Sequence, residues 1–360
     1  MITEPSAYFP TGYRSARSAF LKACAAAGLR GIARAHPSAA ARDGKPLFLD
    51  TATIGPRDAG SALLLISGTH GVEGYFGSGV QTGLLHEGLA RRVPKTAKVI
   101  LLHALNPYGF SWDRRVNEDN ADINRNFVDH ASPPVNKAYE ALADAIAPKD
   151  ISDDALTAAN AKLRAYSETH GAFALQEAIS RGQYDFPDGL YFGGRRPSWS
   201  ARMLYDIFRD ELAQVKKLMV IDFHTGLGIH GEGEMISEDL PGSAPYLRAK
   251  RLWGARVKSS EAGESVSAPL TGTIDKAFAT WMRTGELTFA ALEMGTVAAR
   301  EVFLALRKDN WLHRIAGAAH SAATSIRREI RGAFYPDSRD WRRKAWAAAH
   351  EVVGAALEAL

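Results

Sequence analysis

Two histidines and a glutamate are the residues whose types and spacing best suit metal chemistry. His70 and Glu73 stand three positions apart in a glycine-flanked turn, and His224 follows a separate apolar stretch much later in the chain. Two imidazoles and a carboxylate are a known ligand set of catalytic zinc, which keeps a fourth position for water. The alternative for each is an ordinary polar turn residue. Cys24 is the only cysteine, so thiolate zinc ligands and an internal disulfide are excluded.

A polar segment at residues 114–127 is the second candidate for chemistry. It reads RRVNEDNADINRNF and is dense in arginine, asparagine and aspartate. Arg115 and Arg125 can converge, and an arginine fork is suited to gripping a carboxylate. Beside a zinc ion, an arginine can also stabilise a developing oxyanion. The alternative is a solvated loop in which the asparagines serve tight turns.

Apolar runs typical of buried strands precede most of these residues. The runs lie at residues 62–67, 98–105, 218–223 and 289–293, with a shorter strand candidate at 47–50. Helical patterns separate them, and we expect helices at 13–29, 75–90, 135–146, 155–180 and 199–215, with a long loop at 182–197. This alternation predicts an α/β fold with three layers, a mixed, mostly parallel sheet and helices on both faces. Ligands of such sheets bind beyond the carboxyl ends of the strands, where the candidate residues lie.

Composition narrows the class of protein. The 360 residues carry a net charge of +4 and are 46% hydrophobic, as is usual for a soluble globular enzyme. The basic residues at 327–344 are interpreted as a solvated helical face, so we expect no nucleic-acid partner. No apolar stretch approaches the length of a membrane span, and residues 1–13 lack the pattern of a signal peptide. We therefore expect a cytoplasmic protein without a membrane partner.

Several motifs together resemble the M14 zinc carboxypeptidase family. They are H-x-x-E at 70–73, R-x-N at 115–117, D-x-N-R-N-F at 122–127, D-x-H at 222–224 and a strand glutamate at 293, in the family's order. More closely, SGTHGVEGYFGSG, HALNPYGFSWDRRVNEDNADINRNF, GLYFGGRRPSW, IDFHTGLG and LEMGT resemble an uncharacterised branch, DUF2817. That likeness extends over about residues 8–313. It implies a zinc carboxypeptidase-like fold in a single zinc-hydrolase domain over residues 1–360. Within it we expect an N-terminal helical extension over about 1–45 and C-terminal helices over about 313–360.

The resemblance also implies a role for each matched residue. His70, Glu73 and His224 would bind one zinc ion per chain, and Asp122 would orient the first histidine. Arg115 would stabilise the oxyanion, Asn124 and Arg125 would grip a substrate carboxylate, and Glu293 would be the general base and acid. The expected reaction is hydrolysis of an amide bond in a small-molecule or peptide substrate with a free carboxylate.

One departure from the family leaves the substrate open. Carboxypeptidases of this family carry a mobile tyrosine between the third ligand and the catalytic glutamate, and Tyr246 is the only tyrosine in that interval. One alternative is an N-acyl amino acid deacylase of the aspartoacylase and succinylglutamate desuccinylase type. Another is a non-catalytic binding protein that keeps the fold. Among the other histidines, His103 is expected in the core and His230 is a candidate for the pocket wall. The sequence does not address the oligomeric state.

Overall fold

An eight-stranded mixed sheet lies at the centre of the computed structural model, which describes residues 4–360. The strands are β1 (Ile32–Ala40), β2 (Pro46–Ile54), β3 (Ser61–Ser67), β4 (Ala97–His103), β5 (Lys217–Gly226), β6 (Gly233–Ser237), β7 (Val257–Ser259) and β8 (Glu286–Gly295). Their order is β1-β2-β4-β3-β5-β8-β6-β7. The central strands β4, β3, β5 and β8 are parallel, whereas β1, β2 and β6 join by antiparallel pairing. The predicted mixed, mostly parallel sheet is confirmed.

Helices connect and cover the strands. They are α1 (Tyr13–Ala26), α2 (Gly74–His86), α3 (Leu89–Arg92), α4 (Pro107–Trp112), α5 (Lys137–Ile146), α6 (Asp153–His170), α7 (Ala172–Ser180), α8 (Trp199–Ile207), α9 (Ala244–Trp253), α10 (Ile274–Trp281), α11 (Ala299–Trp311), α12 (Ala323–Phe334) and α13 (Arg339–Glu358). Short π-helical turns, Phe208–Leu212 and Leu312–Ala316, extend α8 and α11.

Alternate residues of the central strands enter two different cores. Leu63 and Leu65 of β3 pack with residues of α1, α2, α9 and α13, whereas Leu64 and Ile66 pack with α8 and α10. Successive side chains of a strand point to opposite faces, so helices cover both faces of the sheet. The three-layer arrangement expected from the apolar runs is therefore present.

The structure differs from the sequence prediction at the sheet edges and in two helices. Residues Ile32–Ala40, inside the predicted N-terminal helical extension, form the edge strand β1. The first three residues of that predicted extension lie outside the described residues. The predicted helix at 155–180 is divided at Gly171, whose φ of +91° is incompatible with a continuous α-helix. The helix expected at 199–215 ends as an α-helix at Ile207.

The C-terminal segment contains the helices α12 and α13. Helix α13 contacts α2, α9 and β6, and Trp341 at its first turn is fully buried. Among residues 4–360, no helix is both long and apolar enough to cross a membrane.

Candidate metal centre

The turn that follows β3 carries the first two candidate ligands. A 3₁₀ turn, Gly71–Glu73, comes directly after His70, and we call it the ligand turn. The amide groups of Gly71 and Val72 donate hydrogen bonds to the carbonyl oxygens of Arg115 and Arg114, at 3.1 and 2.8 Å. A Cβ atom at Gly71 would lie 2.0 Å from the carbonyl carbon of Gly109, so only glycine fits against α4. Close backbone packing therefore fixes the ligand turn.

Strands β5 and β8 place the third ligand and the candidate base side by side. His224 and Glu293 are register partners in the parallel pairing of these strands. The apolar runs predicted strands that end before His224 and at Glu293, but both strands continue to a glycine two residues beyond them. Both side chains thus start from sheet backbone.

The three candidate ligands converge on one point. The Nδ1 atom of His70 lies 3.0 Å from Oε1 of Glu73, and the Nδ1 atom of His224 lies 3.0 Å from Oε2 of Glu73. The two Nδ1 atoms are 3.2 Å apart. Two ligand atoms bound to one tetrahedral zinc ion are separated by about 3.3 Å. The buried group His70, Glu73 and His224, which we call the metal group, can therefore bind a metal ion.

Aspartates hold the outer nitrogen of both imidazoles. Oδ1 of Asp122 lies 3.0 Å from Nε2 of His70, and Oδ2 of Asp222 lies 2.8 Å from Nε2 of His224. The hydroxyl of Thr69 donates to Asp222 at 2.8 Å. Such carboxylates fix the ring orientation and leave the other nitrogen for a metal. No role of Asp222 was predicted from the sequence, although its position two residues before His224 on one strand places both side chains on the same face.

Negative charge dominates the interior of this centre. Glu73, Asp122, Asp222 and Glu293 are all buried around the two imidazoles. Burial and the neighbouring charge of Glu73 raise the pKa of Glu293 to about 8, while its Oε1 accepts a hydrogen bond from the amide of Leu227 at 2.8 Å. A divalent cation would compensate this accumulation of carboxylates.

Arg115 connects the metal group to the aspartate behind it. Its Nε donates to Oδ2 of Asp122 at 2.9 Å, and its Nη1 donates to Oε1 of Glu73 at 3.2 Å. Burial opposes ionisation of Asp122, but the charges of Arg115 and His70 hold the pKa of Asp122 well below its ordinary value. Arg115 also lines the cavity in front of the metal group.

Arg125 and Asn124 line the same cavity, next to Arg115. The guanidinium of Arg125 is buried and donates from Nε and Nη2 to the carbonyl of Ser180, and from Nη1 to the carbonyl of Asn124. A guanidinium has about five N–H groups. These carbonyl contacts use three of them, so about two remain for a ligand. Oδ1 of Asn124 accepts from the amide of Ile274 at 2.9 Å.

Tyr191 and Glu238 also line the cavity, and neither was predicted from the sequence. Tyr191 lies over the guanidinium groups of Arg115 and Arg125, with a φ of +53° that is uncommon for a bulky residue. The only sequence signal for Tyr191 was its place in GLYFGGRRPSW. Glu238 follows β6, a strand that no apolar run predicted.

The remaining histidines and Tyr246 do not line the cavity. His103 is fully buried, stacks on Phe20 and contacts the hydroxyl of Ser78, as expected for a core histidine. His230 contacts the carbonyl of Thr296 instead of the pocket wall. Tyr246 donates its hydroxyl proton to Glu264 at 3.1 Å.

Comparison with solved structures defines the class of fold. The chain is similar to bovine thrombin-activatable fibrinolysis inhibitor in complex with tick carboxypeptidase inhibitor, with a TM-score of 0.51 and 8% identity over 98% of this chain and 97% of that chain. A putative carboxypeptidase A from Shewanella denitrificans has a TM-score of 0.47 and 13% identity, over 96% and 70% of the two chains. An aspartoacylase family protein from Mesorhizobium loti has 0.38 and 15%, over 81% and 68%. The protein has a carboxypeptidase-like α/β fold.

The family follows from the sequence itself. The model of the family described as "Protein of unknown function (DUF2817)" matches residues 9–348, and the chain belongs to that family. No curated protein matches the chain.

Proposed function

We propose that this protein is a zinc-dependent hydrolase that cleaves an amide bond next to a substrate carboxylate. The observation that carries the proposal is the convergence of His70, Glu73 and His224 beside a second buried carboxylate, Glu293. The two histidines and Glu293 line one cavity. A binding module would have no need for a separate base beside the metal group.

The donor set suits one zinc ion per chain. Two imidazole nitrogens and one carboxylate, each held from behind, match the ligands of catalytic zinc sites. When bound, zinc supplies a Lewis acid and lowers the pKa of a coordinated water. The described residues place no further His, Cys, Asp or Glu in this group.

Glu293 is the proposed general base and acid. The amide of Leu227 holds Oε1 at 2.8 Å, and this contact fixes the carboxylate at the cavity wall. Glu293 would take a proton from the attacking water and pass it to the leaving amine. A metal cation bound by the metal group would lower the pKa of Glu293 from its raised value. The ionised base would then be available near neutral pH.

Arginines would bind the two negative groups of the substrate. Arg115 is held by Asp122 and Glu73 at the metal group, where it would stabilise the oxyanion. Arg125 and Asn124 would bind the carboxylate next to the cleaved bond, because Arg125 keeps N–H groups that its carbonyl contacts do not use.

An N-acyl amino acid deacylase is the second candidate. The cavity in front of the metal group encloses only about 100 Å³, which favours a small substrate. Both candidates share the amide chemistry and release an amino acid, so a panel of C-terminal peptides and N-acyl amino acids separates them.

The test combines metal content with turnover. Purified protein should contain one zinc per chain and hydrolyse members of one of the two panels, and His70→Ala and His224→Ala should each lose the metal and the activity. Full zinc occupancy in both variants would contradict the metal group. A zinc-loaded protein that cleaves nothing in either panel would contradict the proposed hydrolase and leave a binding protein.

A further inference from the structure

One carboxylate in the cavity has an oxygen atom without a hydrogen-bond partner among the described residues. Glu238 lines the cavity together with Arg125, His70 and His224. Its Oε2 atom is shielded from solvent and has no hydrogen-bond partner among residues 4–360. Buried polar atoms are normally hydrogen-bonded, and an orphaned carboxylate oxygen is costly. Such an atom at a cavity wall indicates a place for a donor that arrives with a ligand.

Lys276 and Arg125 are the cations near Glu238, and their hydrogen bonds go to other groups. Lys276 donates to the carbonyl of Leu270 at 2.6 Å and lies 3.5 Å from a carboxylate oxygen of Glu261. The N–H groups of Arg125 that form hydrogen bonds are directed at backbone carbonyls. Burial and the charge of Asp275 raise the pKa of Glu238 to about 8. Lys276 and Arg125 oppose this rise, but no cation forms a hydrogen bond with Oε2 of Glu238 among the described residues.

The strand pairing sets the distance between this acid and the proposed base. Glu234 of β6 is the register partner of Glu293, and Glu238 lies four residues further along the chain. An extended chain rises about 3.3 Å per residue, so the two backbone positions are roughly 13 Å apart. Ile236 and Ala291, which lie between them, are apolar and also line the cavity.

We propose that Glu238 determines specificity by receiving the cationic end of a long side chain on the released amino acid. This inference rests on the proposed hydrolase function. Ile236 and Ala291 would contact the methylene stem, and Glu238 would pair with the terminal ammonium or guanidinium. A short or acidic side chain would leave Glu238 without a partner. The substrate class is therefore a peptide or N-acyl derivative of a basic amino acid.

Paired substrates that release lysine or norleucine test this assignment, since norleucine keeps the stem and lacks the charge. The kcat/KM for the lysine substrate should exceed that for the norleucine substrate by about tenfold to a hundredfold, as for a charge-assisted hydrogen bond. Glu238→Gln should bring this ratio close to one. Glu238→Lys should cleave a glutamate-releasing substrate faster than the lysine substrate. Glu261→Gln, a nearby acid outside the cavity, should keep the wild-type ratio.

Binding of the free amino acids separates this inference from the proposed function. Calorimetry on the zinc-loaded wild-type protein should show lysine binding at least tenfold tighter than norleucine, and Glu238→Gln should lose that preference. If neither substrate is cleaved but this binding pattern holds, the hydrolase proposal fails and the role of Glu238 stands. If wild-type protein cleaves the two substrates equally well, or binds both products equally, the role of Glu238 is overturned, whatever the folding of the variants.

Discussion

The proposed role of Glu293 as a general base can be tested separately from metal binding. The residue faces the cavity beside His224 but is not part of the metal group. Glu293→Gln should keep the zinc and the melting temperature while turnover falls by about 10²–10⁴-fold, the usual contribution of a general base. Zinc content, melting temperature and rate are measured on one sample.

A structural glutamate would give the opposite pattern. If Glu293 only satisfied the amide of Leu227, the variant would melt earlier and turn over at a near-normal rate once folded. Glu234→Gln is a matched control, because Glu234 is the register partner of Glu293 on β6 and has no proposed role as a base. Its carboxylate accepts hydrogen bonds from Ser265 and Val266. An active Glu293→Gln protein would remove this residue from the mechanism.

The charge of Glu238 should make substrate preference depend on pH. Burial and Asp275 raise its pKa to about 8, and Lys276 and Arg125 act in the opposite direction. The carboxyl group is neutral below that pH and charged above it, whereas a lysine side chain remains charged up to about pH 10. The lysine-to-norleucine ratio of kcat/KM should therefore rise several-fold between about pH 6.5 and 8.5.

The lysine-to-norleucine ratio separates the ionisation of Glu238 from the ionisation of the proposed base, Glu293. Ionisation of Glu293 changes the rate on both substrates alike and cancels in the ratio. The ratio for Glu238→Gln should be flat across the same range. A wild-type ratio that does not change with pH would show that Glu238 does not meet the side chain.

Residue types suggested the candidate metal ligands but could not suggest the polar contacts of the cavity. His70, Glu73 and His224 are of ligand type and follow apolar runs, so the sequence alone suggested them. Glu238 follows a strand without an apolar run, and its lack of a partner is a property of the tertiary structure. The hydrogen bond from Arg125 to the carbonyl of Ser180 also depends on the tertiary structure, since the two residues are far apart in sequence.

At the scale of elements, the ligand turn depends on close contact with α4. Gly71→Ala would place a methyl group 2.0 Å from the backbone of Gly109, and neither backbone can move freely. Overpacking of this kind costs about 1–3 kcal/mol or more, and it would displace the turn that carries Glu73. We expect a lower melting temperature and weaker zinc binding, measured by denaturation and by competition with a chelator.

A second glycine gives the control. A Cβ atom at Gly332 of α12 meets no atom within 4 Å. Gly332→Ala should therefore stabilise the protein by about 0.5–1 kcal/mol, because alanine is favoured in a helix, and zinc affinity should not change. Unaltered zinc affinity in Gly71→Ala would contradict the proposed dependence on close packing.

Central elements were predictable from sequence and edge elements were not. Strands β3, β4 and β5 are buried on both faces and β8 is buried towards its end, so each contains an apolar run. Strand β1 is largely exposed and β7 has three residues, so neither shows a hydrophobic pattern. The registers that place His224 beside Glu293 and Glu234 arise from long-range pairing, which no local pattern contains.

At the scale of the molecule, the site is assembled from distant parts of the chain. Residues from the N-terminal helix α1 and the C-terminal helix α13 enter the same core as the central strands. The Nε1 group of Trp341 in α13 donates to the carbonyl of Gly295 at 2.8 Å, two residues after Glu293. We therefore propose that the terminal helices and the site unfold together as one domain.

Trp341 provides the test of this cooperativity. It is fully buried against Phe76 and Tyr335, and Trp341→Ala should cost about 3–5 kcal/mol, the usual range for a large aromatic core residue. Denaturation of the wild-type protein should follow a single transition, with zinc release and loss of helical signal at the same denaturant concentration. Phe173→Ala, at a residue 46% exposed, should cost much less. A separate early transition of the C-terminal helices, with the zinc retained, would contradict one cooperative domain, because the contact between Trp341 and the end of β8 would then not couple the two regions.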